Sequence, residues 1–400
     1  MSAIAQYLQR YAEPEAKLTQ GLKEQFDSVV VLPCFDESWA DCGLLLQNRF
    51  ERKVLIILVL NQPDDLESCK NNEEVHDSLS IEFRKFWHSS DQRLALFAKN
   101  DQSVMLVDRF SKHHRISRKH GVGLARKIGA DIALSLIQHG NVRTPWIHNI
   151  DADVVLPKSY VALCDKAASS TAAIILPFVH TPSENLLLNQ AQAIYDQHMN
   201  YYVAALKWAN SPYAYHSLGS TLIINVQHYA QVRGFPKRSA GEDFHLLNKL
   251  CKVGSIESIP APPIKIRTRT SHRTPFGTGA AISDILTLGC PEREFLFYDP
   301  AVFEELKTLL SVFPELRNDH KKALSSLNSE VQTVLHAFDI NKAIQHAAQH
   351  SNTKPGFLKH MHTWFDALKT LQFIHALRDS KYPSVAAQNL DPLLPDKLQF

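Results

Sequence analysis

The sequence predicts an α/β protein with a mostly parallel sheet, flanking helices and a helical C-terminal region. Two apolar runs, SVVVLP at residues 28–33 and VLIILVL at residues 54–60, are typical of buried parallel strands. Such runs alternate with helical patterns along the first part of the chain, which indicates helices on both faces of the sheet. From Ile282 onward the pattern becomes mainly helical.

The remaining elements follow from local patterns. Apolar residues that recur every four positions predict a helix from Gly121, which Gly140 ends. Further strands are predicted at residues 104–108, 146–150, 172–178 and 222–225. Further helices are predicted at the amphipathic N-terminus and at residues 185–208, 242–250, 304–310, 330–338 and 356–377.

A shift in composition near residue 285 divides the chain. We expect residues 1–284 to form one α/β domain that includes the N-terminal helix, and residues 285–400 to form a helical extension. In parallel sheets, ligands bind beyond the carboxyl ends of the strands. The loops after Pro33, Leu60 and Ile150 are therefore expected to form the binding site.

Charge and cysteine content exclude several classes of function. The balance of 43 basic and 41 acidic residues argues against a general nucleic-acid binder. None of the six cysteines forms a CxxC pair, and scattered cysteines fit a reducing compartment. The N-terminus does not resemble a signal peptide, and the longest apolar run is too short to span a bilayer. We expect a cytoplasmic protein, and loose contact with a membrane surface stays compatible with the sequence.

Two carboxylates, Asp151 and Asp153, directly follow a predicted buried strand in NIDADVVLP. A hard cation such as Mg²⁺ or Mn²⁺ needs only one or two protein carboxylates when phosphates and waters complete its coordination shell. The motif predicts a metal site for a nucleoside diphosphate, with Asp153 as a direct ligand and Asp151 as a second ligand or a ribose contact. The alternative is an Asp-rich turn, since Asp favours turns.

A second acidic pair, Glu242 and Asp243 in RSAGEDFH, stands at a predicted helix start. Acidic residues stabilise a helix there through its dipole, which is the structural interpretation. The functional interpretation is that one carboxylate contacts an acceptor hydroxyl and takes its proton.

Basic residues supply candidate partners for phosphate. Arg267, Arg269 and Arg273 alternate along a segment predicted to be extended, and crowded guanidiniums repel unless an anion such as a diphosphate lies between them. His272 in the same segment is either a third metal ligand or a structural residue. Arg126 joins this set because it lies near the start of the GVGLARK helix, and helix N-termini bind phosphate.

The motifs VVVLPCFDES, VLIILVLNQPDD, GVGLARKIGAD, NIDADVVLP, SLGSTLIIN and SAGEDF follow one another along the chain. This series resembles glycosyltransferase family 2 and its relatives with the GT-A fold, over about residues 28–280. The resemblance implies a GT-A domain, a nucleotide-sugar donor, Mg²⁺ or Mn²⁺, and sugar transfer to an acceptor hydroxyl. The QxxRW motif of processive members is absent, so the implied enzyme is soluble and non-processive.

The resemblance also implies roles for single residues near the donor. Pro33, Asp36 and Glu37 match a loop close to the nucleotide base and ribose. Asp64 or Asp65 matches an acidic residue that contacts the base, although the preceding Asn-Gln-Pro departs from the family pattern.

Further roles are implied on the acceptor side. Gly219 and Ser220 match the floor of the acceptor pocket, and Asp243 matches the catalytic base of the acidic pair. His272 with Arg273 is similar to the late His-Arg segment of some retaining relatives, such as glucosyl-3-phosphoglycerate and mannosylglycerate synthases, where the His binds metal. If transfer is retaining, Asp243 need not act as a base.

Three hypotheses remain open from the sequence. The first is a glycosyltransferase with an unidentified acceptor, including the retaining, glycerate-type variant. The second is a nucleotidyltransferase that acts on a sugar phosphate, although its usual Gly-rich, basic first loop is replaced here by the acidic PCFDE. The third is a non-catalytic binding protein of the same fold. The sequence specifies neither the sugar nor the oligomeric state.

Overall fold

The structure, a computed structural model, describes residues 2–46, 48–271 and 273–390, apart from the side chain at position 44. The described residues group into two compact units. The first contains the chain up to Ser183, Ser217–Thr268 and Arg273–Gly277, and the second contains Glu184–His216, residues 269–271 and the chain from Thr278 onward. The boundary predicted after residue 284 falls within the second unit, and the division into residues 1–284 and 285–400 stays a prediction.

The strands are short, as is usual for α/β proteins. They are β1 (Ser28–Cys34), β2 (Val54–Asn61), β3 (Arg84–His88), β4 (Leu94–Lys99), β5 (Gln102–Arg109), β6 (Trp146–Asn149), β7 (Val154–Val155), β8 (Thr171–Ile175), β9 (Phe178–Thr181), β10 (Leu222–Asn225), β11 (Ser255–Ser258), β12 (Ile264–Arg267), β13 (Leu296–Phe297) and β14 (Val385–Ala386).

The helices lie between these strands and fill most of the chain after residue 278. They are α1 (Ala3–Arg10), α2 (Trp39–Leu46), α3 (Lys70–Glu82), α4 (Gly121–Gln138), α5 (Leu186–Trp208), α6 (Val226–Gln231), α7 (Glu242–Leu250), α8 (Thr278–Leu286), α9 (Pro291–Glu294), α10 (Pro300–Val312), α11 (Leu316–Ser325), α12 (Ser329–Ala337), α13 (Ile340–His350), α14 (Lys354–Trp364) and α15 (Ala367–Ser380).

The first unit is built on a large sheet whose strand order, within the described ranges, is β11-β8-β10-β6-β1-β2-β5-β4-β3. At its centre, β1 pairs in parallel with β2 and β6, and β2 pairs in parallel with β5. Only β4 and β10 of these strands run against the others, as their antiparallel pairings require. The predicted mostly parallel sheet with flanking helices is confirmed.

Helices cover both faces of this sheet. On one face, a Cβ at Gly129 of α4 would stand 2.4 Å from Val31 Cγ1 and 3.1 Å from Val59 Cγ2, so glycine is what lets the helix approach. Val30 and Leu32 point to the opposite face, because side chains alternate along a strand. There they belong to one buried apolar cluster with residues of α2 and α3.

Proline breaks a strand that the sequence predicts as continuous. Residues 172–178 do not form one strand, and β8 instead ends at Ile175 while β9 begins at Phe178. Pro177 lies between them and cannot donate to a ladder. The strand β9 joins a separate small sheet of order β7-β12-β9, in which β12 lies beside the residues that follow Asp153.

The second unit consists mainly of helices packed around aromatic and aliphatic side chains, which confirms the predicted helical C-terminal region. The helix predicted at residues 356–377 is wrong as a single element, because it divides into α14 and α15. Asp366 caps the second of these by accepting a hydrogen bond from Lys369 N at 3.1 Å. None of the helices in the described parts of the chain has both the length and the apolar character needed to cross a membrane.

Candidate active site

Several predicted site residues follow strands whose carboxyl ends lie at one end of the central sheet. β1, β2, β5 and β6 are neighbours and parallel, so the loops after Cys34, Asn61, Arg109 and Asn149 all leave the sheet on the same side. The strand order therefore agrees with the expectation that these loops lie together beyond the carboxyl ends of the strands.

The Asp-Ala-Asp segment begins two residues after the end of β6, with Ile150 between them. Ile150 N still donates to Val31 O at 3.1 Å, which fixes the backbone immediately before Asp151. The Asp151 side chain is 37% exposed, and Asp153 is half-buried. The carbonyl of Asp153 accepts a hydrogen bond from Arg267 N at 2.9 Å, so the end of β12 lies beside this segment.

A buried arginine joins this segment to the second acidic pair. Arg126, on the second turn of α4, is 3% exposed. Its Nη2 donates to Asp151 Oδ1 at 2.6 Å, and its Nε donates to Glu242 Oε1 at 2.8 Å. Burial alone would lower the pKa of Arg126, but the carboxylates of Asp151, Glu242 and Asp243 raise it above its ordinary value. Two acidic motifs that are about 90 residues apart in sequence thus share one cation.

Gly219 leaves the space that this arginine occupies. A Cβ at residue 219 would stand 2.3 Å from Nη2 and 2.6 Å from Cζ of Arg126, which is closer than real Cβ atoms come to other heavy atoms. The carbonyl of Gly219 also accepts from Arg126 Nη1 at 3.3 Å. The glycine that the resemblance assigns to the floor of an acceptor pocket is therefore required by the arginine behind it.

The glycines at the start of α4 are used for packing. A Cβ at Gly123 would stand 2.5 Å from Arg238 O, and Gly123 N donates to that carbonyl at 2.9 Å. A Cβ at Gly121, whose φ is +38°, would stand 2.8 Å from Ser239 Cα. The loop that leads into Glu242 is therefore held against the helix that carries Arg126, and the Gly123 amide is already bonded within the protein.

Asp243 stands in the first turn of α7, beside Glu242. Gly241 precedes it in the left-handed conformation, with φ of +69°, and so turns the chain into the helix. One Asp243 oxygen accepts from Phe244 N at 2.7 Å. Burial, followed by the charge of Glu242, raises the pKa of Asp243 to about 7, although Arg126 acts in the opposite direction. A carboxyl group with this pKa exchanges a proton near neutral pH.

Two of the three predicted arginines bind carboxylates in and after the β1 loop. Arg273 forms an ion pair with Glu37, and its Nη1 donates to Phe35 O at 2.7 Å. Arg267 forms an ion pair with Asp41 at 2.5 Å. Glu37 and Asp41 therefore supply the negative charge that the sequence analysis expected from a bound anion. Asp41 was missed, because nothing in the sequence relates it to an arginine 226 positions later.

The other predicted donor contacts lie in β1 or in the loops that follow β1 and β2. Asp36 is exposed with φ of +54°, and the Asn72 side chain accepts a hydrogen bond from its backbone N–H at 3.0 Å. Asp65 is exposed and pairs with Arg118 at 2.6 Å. Pro33 is buried within β1. None of these contacts tests a role in substrate binding, so the assigned roles of these residues stay predictions.

Two predicted residues lie outside the described part of the first unit. Arg269 belongs to the second compact unit. His272, the predicted third metal ligand, lies outside the described residues. Within the described ranges, no three His, Cys, Asp or Glu side chains form a group that could hold a metal ion by themselves.

The donor set nevertheless fits a hard divalent cation that also has phosphate ligands. Asp151, Glu242 and Asp243 all act on the one guanidinium of Arg126, and Asp153 lies two residues from Asp151. Carboxylate charge therefore exceeds the charge of that guanidinium. Mg²⁺ and Mn²⁺ prefer oxygen ligands and take one or two from the protein when a nucleotide supplies others.

Comparisons with known proteins give distant structural likenesses only. No protein-family model and no curated protein matches the chain. The mannosyltransferase PcManGT from Pyrobaculum calidifontis, in complex with GDP-Man and Mn²⁺, is 13% identical with a TM-score of 0.37, covering 92% of this chain and 94% of that one. TarS 1-349 of S. aureus, in complex with UDP-GlcNAc, is 10% identical with a TM-score of 0.38, covering 85% and 91%. At these TM-scores the likenesses carry no weight for the function.

Proposed function

We propose that the chain is a non-processive glycosyltransferase of the GT-A type, which moves a sugar from a nucleoside-diphosphate sugar to an acceptor hydroxyl. The observation that carries the proposal is the position of Arg126. It is bonded to Asp151 of the Asp-Ala-Asp segment and to Glu242 of the second acidic pair, at 2.6 and 2.8 Å. The proposed metal-binding motif and the segment that carries the proposed base are thereby joined through one side chain.

In this proposal the donor diphosphate lies at the Asp-Ala-Asp segment. Asp153 would hold Mg²⁺ or Mn²⁺, with Asp151, which Arg126 orients, as a second ligand. The cation would neutralise the diphosphate and stabilise it as a leaving group. Arg126 is then a positioning residue that orients Asp151, instead of the direct substrate contact that the sequence suggested.

Asp243 is proposed as the catalytic base. In an inverting transfer, the acceptor oxygen forms a bond to the anomeric carbon while the bond from that carbon to the phosphate oxygen breaks. The acceptor proton passes to the Asp243 carboxylate, and the nucleoside diphosphate leaves. Its pKa of about 7 suits this task, because a base works best when its pKa lies near the working pH.

The remaining assignments extend the donor and acceptor sites. Pro33, Asp36, Glu37 and Asp65 would surround the base and ribose. The diphosphate would be bound by Arg267, Arg269 and Arg273. Gly219 would contact the acceptor, and His272 would be an additional metal ligand. A domain of residues 1–284 would carry this site, with residues 285–400 as a helical extension, in a cytoplasmic protein.

The test of the function is a turnover assay. We expect release of nucleoside diphosphate when the full chain is incubated with a panel of nucleotide sugars, candidate acceptors and Mn²⁺. Chelation of the metal should stop it. Release of pyrophosphate from a nucleoside triphosphate and a sugar phosphate would instead favour a nucleotidyltransferase. If the chain shows neither turnover nor metal-dependent nucleotide binding, the result would favour a non-catalytic binding protein of the same fold.

Asp153→Ala should abolish metal-dependent binding of the donor, because the variant loses the proposed direct metal ligand. The measurement is calorimetric titration with a nucleoside diphosphate, in Mn²⁺ and again in a chelator. Asp77→Ala, which removes a 72% exposed carboxylate on α3, is the matched control and should bind normally. Equal affinity of Asp153→Ala and the wild type in Mn²⁺ rules out the metal assignment.

Asp243→Asn should lower turnover by about 100-fold or more while donor binding stays close to normal, because only proton transfer is removed. In the wild type, kcat/KM should rise with pH and level off above about 7, since the carboxylate is the active form and its pKa is raised to about 7. Asp77→Asn should behave like the wild type. Wild-type turnover in Asp243→Asn would contradict the assignment of Asp243 as the base. A retaining mechanism, which needs no such base, would give the same result.

Gly219→Ala should displace Arg126, because the added methyl group occupies the place of its guanidinium. Turnover should fall, and the free energy of unfolding should drop by about 3–5 kcal/mol, as when a buried ion pair is broken. Urea unfolding gives the second quantity. Gly289→Ala is the matched control, because its Cβ has no neighbour closer than 3.4 Å. Normal activity and stability in Gly219→Ala argue against a positioning role for Arg126.

A further inference from the structure

Three histidine rings stand together in the second unit, on residues that the proposed sugar transfer does not use. His346 and His350 are one turn apart on α13, and their ring centroids are 4.1 Å apart. The ring of His360, on α14, lies 5.6 Å from that of His346 and 6.2 Å from that of His350. The first two are exposed and the third is half-buried.

The helices that carry these rings are fixed by a shared core. Ile344 and Ala347 of α13 are buried in the same apolar cluster as Phe357 and Met361 of α14. The spacing of the rings is therefore set by packed backbone rather than by mobile loops. Exposure of the His346 and His350 rings leaves these two open to an ion from solvent.

The centroid distances lie close to, but not at, the spacing that a shared metal ion requires. In a tetrahedral site with zinc–nitrogen bonds of about 2.0 Å, the centroids of any two imidazole ligands are about 5 Å apart. The three observed distances, 4.1, 5.6 and 6.2 Å, lie on both sides of this value. In the present stacked arrangement the described residues hold no ready-made three-ligand metal group, so binding requires the rings of His346 and His360 to rotate about their side-chain bonds toward His350.

A backbone contact already prepares one of the rings. His350 Nδ1 lies 2.9 Å from the carbonyl oxygen of His346, and a carbonyl can only accept, so Nδ1 carries the proton. In the neutral ring, Nε2 is then left with the lone pair that metals bind. A hydrogen bond from the second ring nitrogen to a carbonyl is the usual arrangement for a metal-bound histidine.

We propose that His346, His350 and His360 form a binding site for a metal ion of borderline softness, such as Zn²⁺. Imidazole nitrogen suits such ions, whereas the carboxylates at the sheet edge suit Mg²⁺ and Mn²⁺. The bound ion ties α13 to α14 and stabilises the second unit, because it binds the folded chain only. The site is independent of the proposed sugar transfer.

The test is a titration of the untagged full chain with Zn²⁺, in excess Mg²⁺ so that the carboxylates are saturated. We expect one equivalent to bind and to raise Tm. His346→Ala, His350→Ala and His360→Ala should each weaken binding by about tenfold or more. His336→Ala, which removes an exposed histidine of α12, is the matched control and should leave the affinity unchanged.

Co²⁺ provides a second readout, because its visible absorption reports its ligands. The spectrum should change in each of the three variants and persist in Asp153→Ala, which separates this site from the donor site. No saturable binding of Zn²⁺, or equal affinity in the wild type and all three variants, overturns the proposal. These outcomes do not depend on whether sugar transfer is observed.

Discussion

The candidate site depends on one buried cation. A guanidinium that is 3% exposed must be neutralised and hydrogen-bonded, because an unpaired buried charge is strongly destabilising. In this chain the requirement is met by Asp151, Glu242 and the carbonyl of Gly219. Three distant segments must therefore converge on Arg126 before the protein is stable. The convergence that stabilises the fold is also what brings the two acidic motifs together.

The helix that carries this arginine is itself anchored by a second buried group one turn further on. Asp131 accepts hydrogen bonds from Tyr7 at 2.5 Å and from Tyr229 at 2.9 Å, and it pairs with Lys127 at 2.9 Å. These contacts attach α1 and α6 to α4. Burial raises the pKa of Asp131 despite the neighbouring lysine. The helix α4 is thus fixed on the sheet side by Gly129 and on the other side by this cluster.

Much of the first unit could be predicted, because its central strands are long apolar runs and α4 has a clear helical period. The edge strand β3 and its neighbour β4 were missed. Arg84–His88 is mostly exposed, so no apolar run marks it. In the candidate site, the acidic residues at the strand ends could be identified from the sequence. Their contact partners could not be predicted, because pairs such as Arg126 with Glu242 are 116 residues apart and no local sequence pattern indicates them.

The central claim is that Arg126 holds the Asp-Ala-Asp segment in place for a metal-bound diphosphate. A crystal structure of the chain with Mn²⁺ and a nucleoside diphosphate, with anomalous diffraction at the manganese edge, tests it most directly. The account predicts a manganese peak bonded to Asp153 and to phosphate oxygens, with Arg126 still between Asp151 and Glu242. A manganese–diphosphate pair bound elsewhere, or Arg126 turned away from both carboxylates, would contradict it.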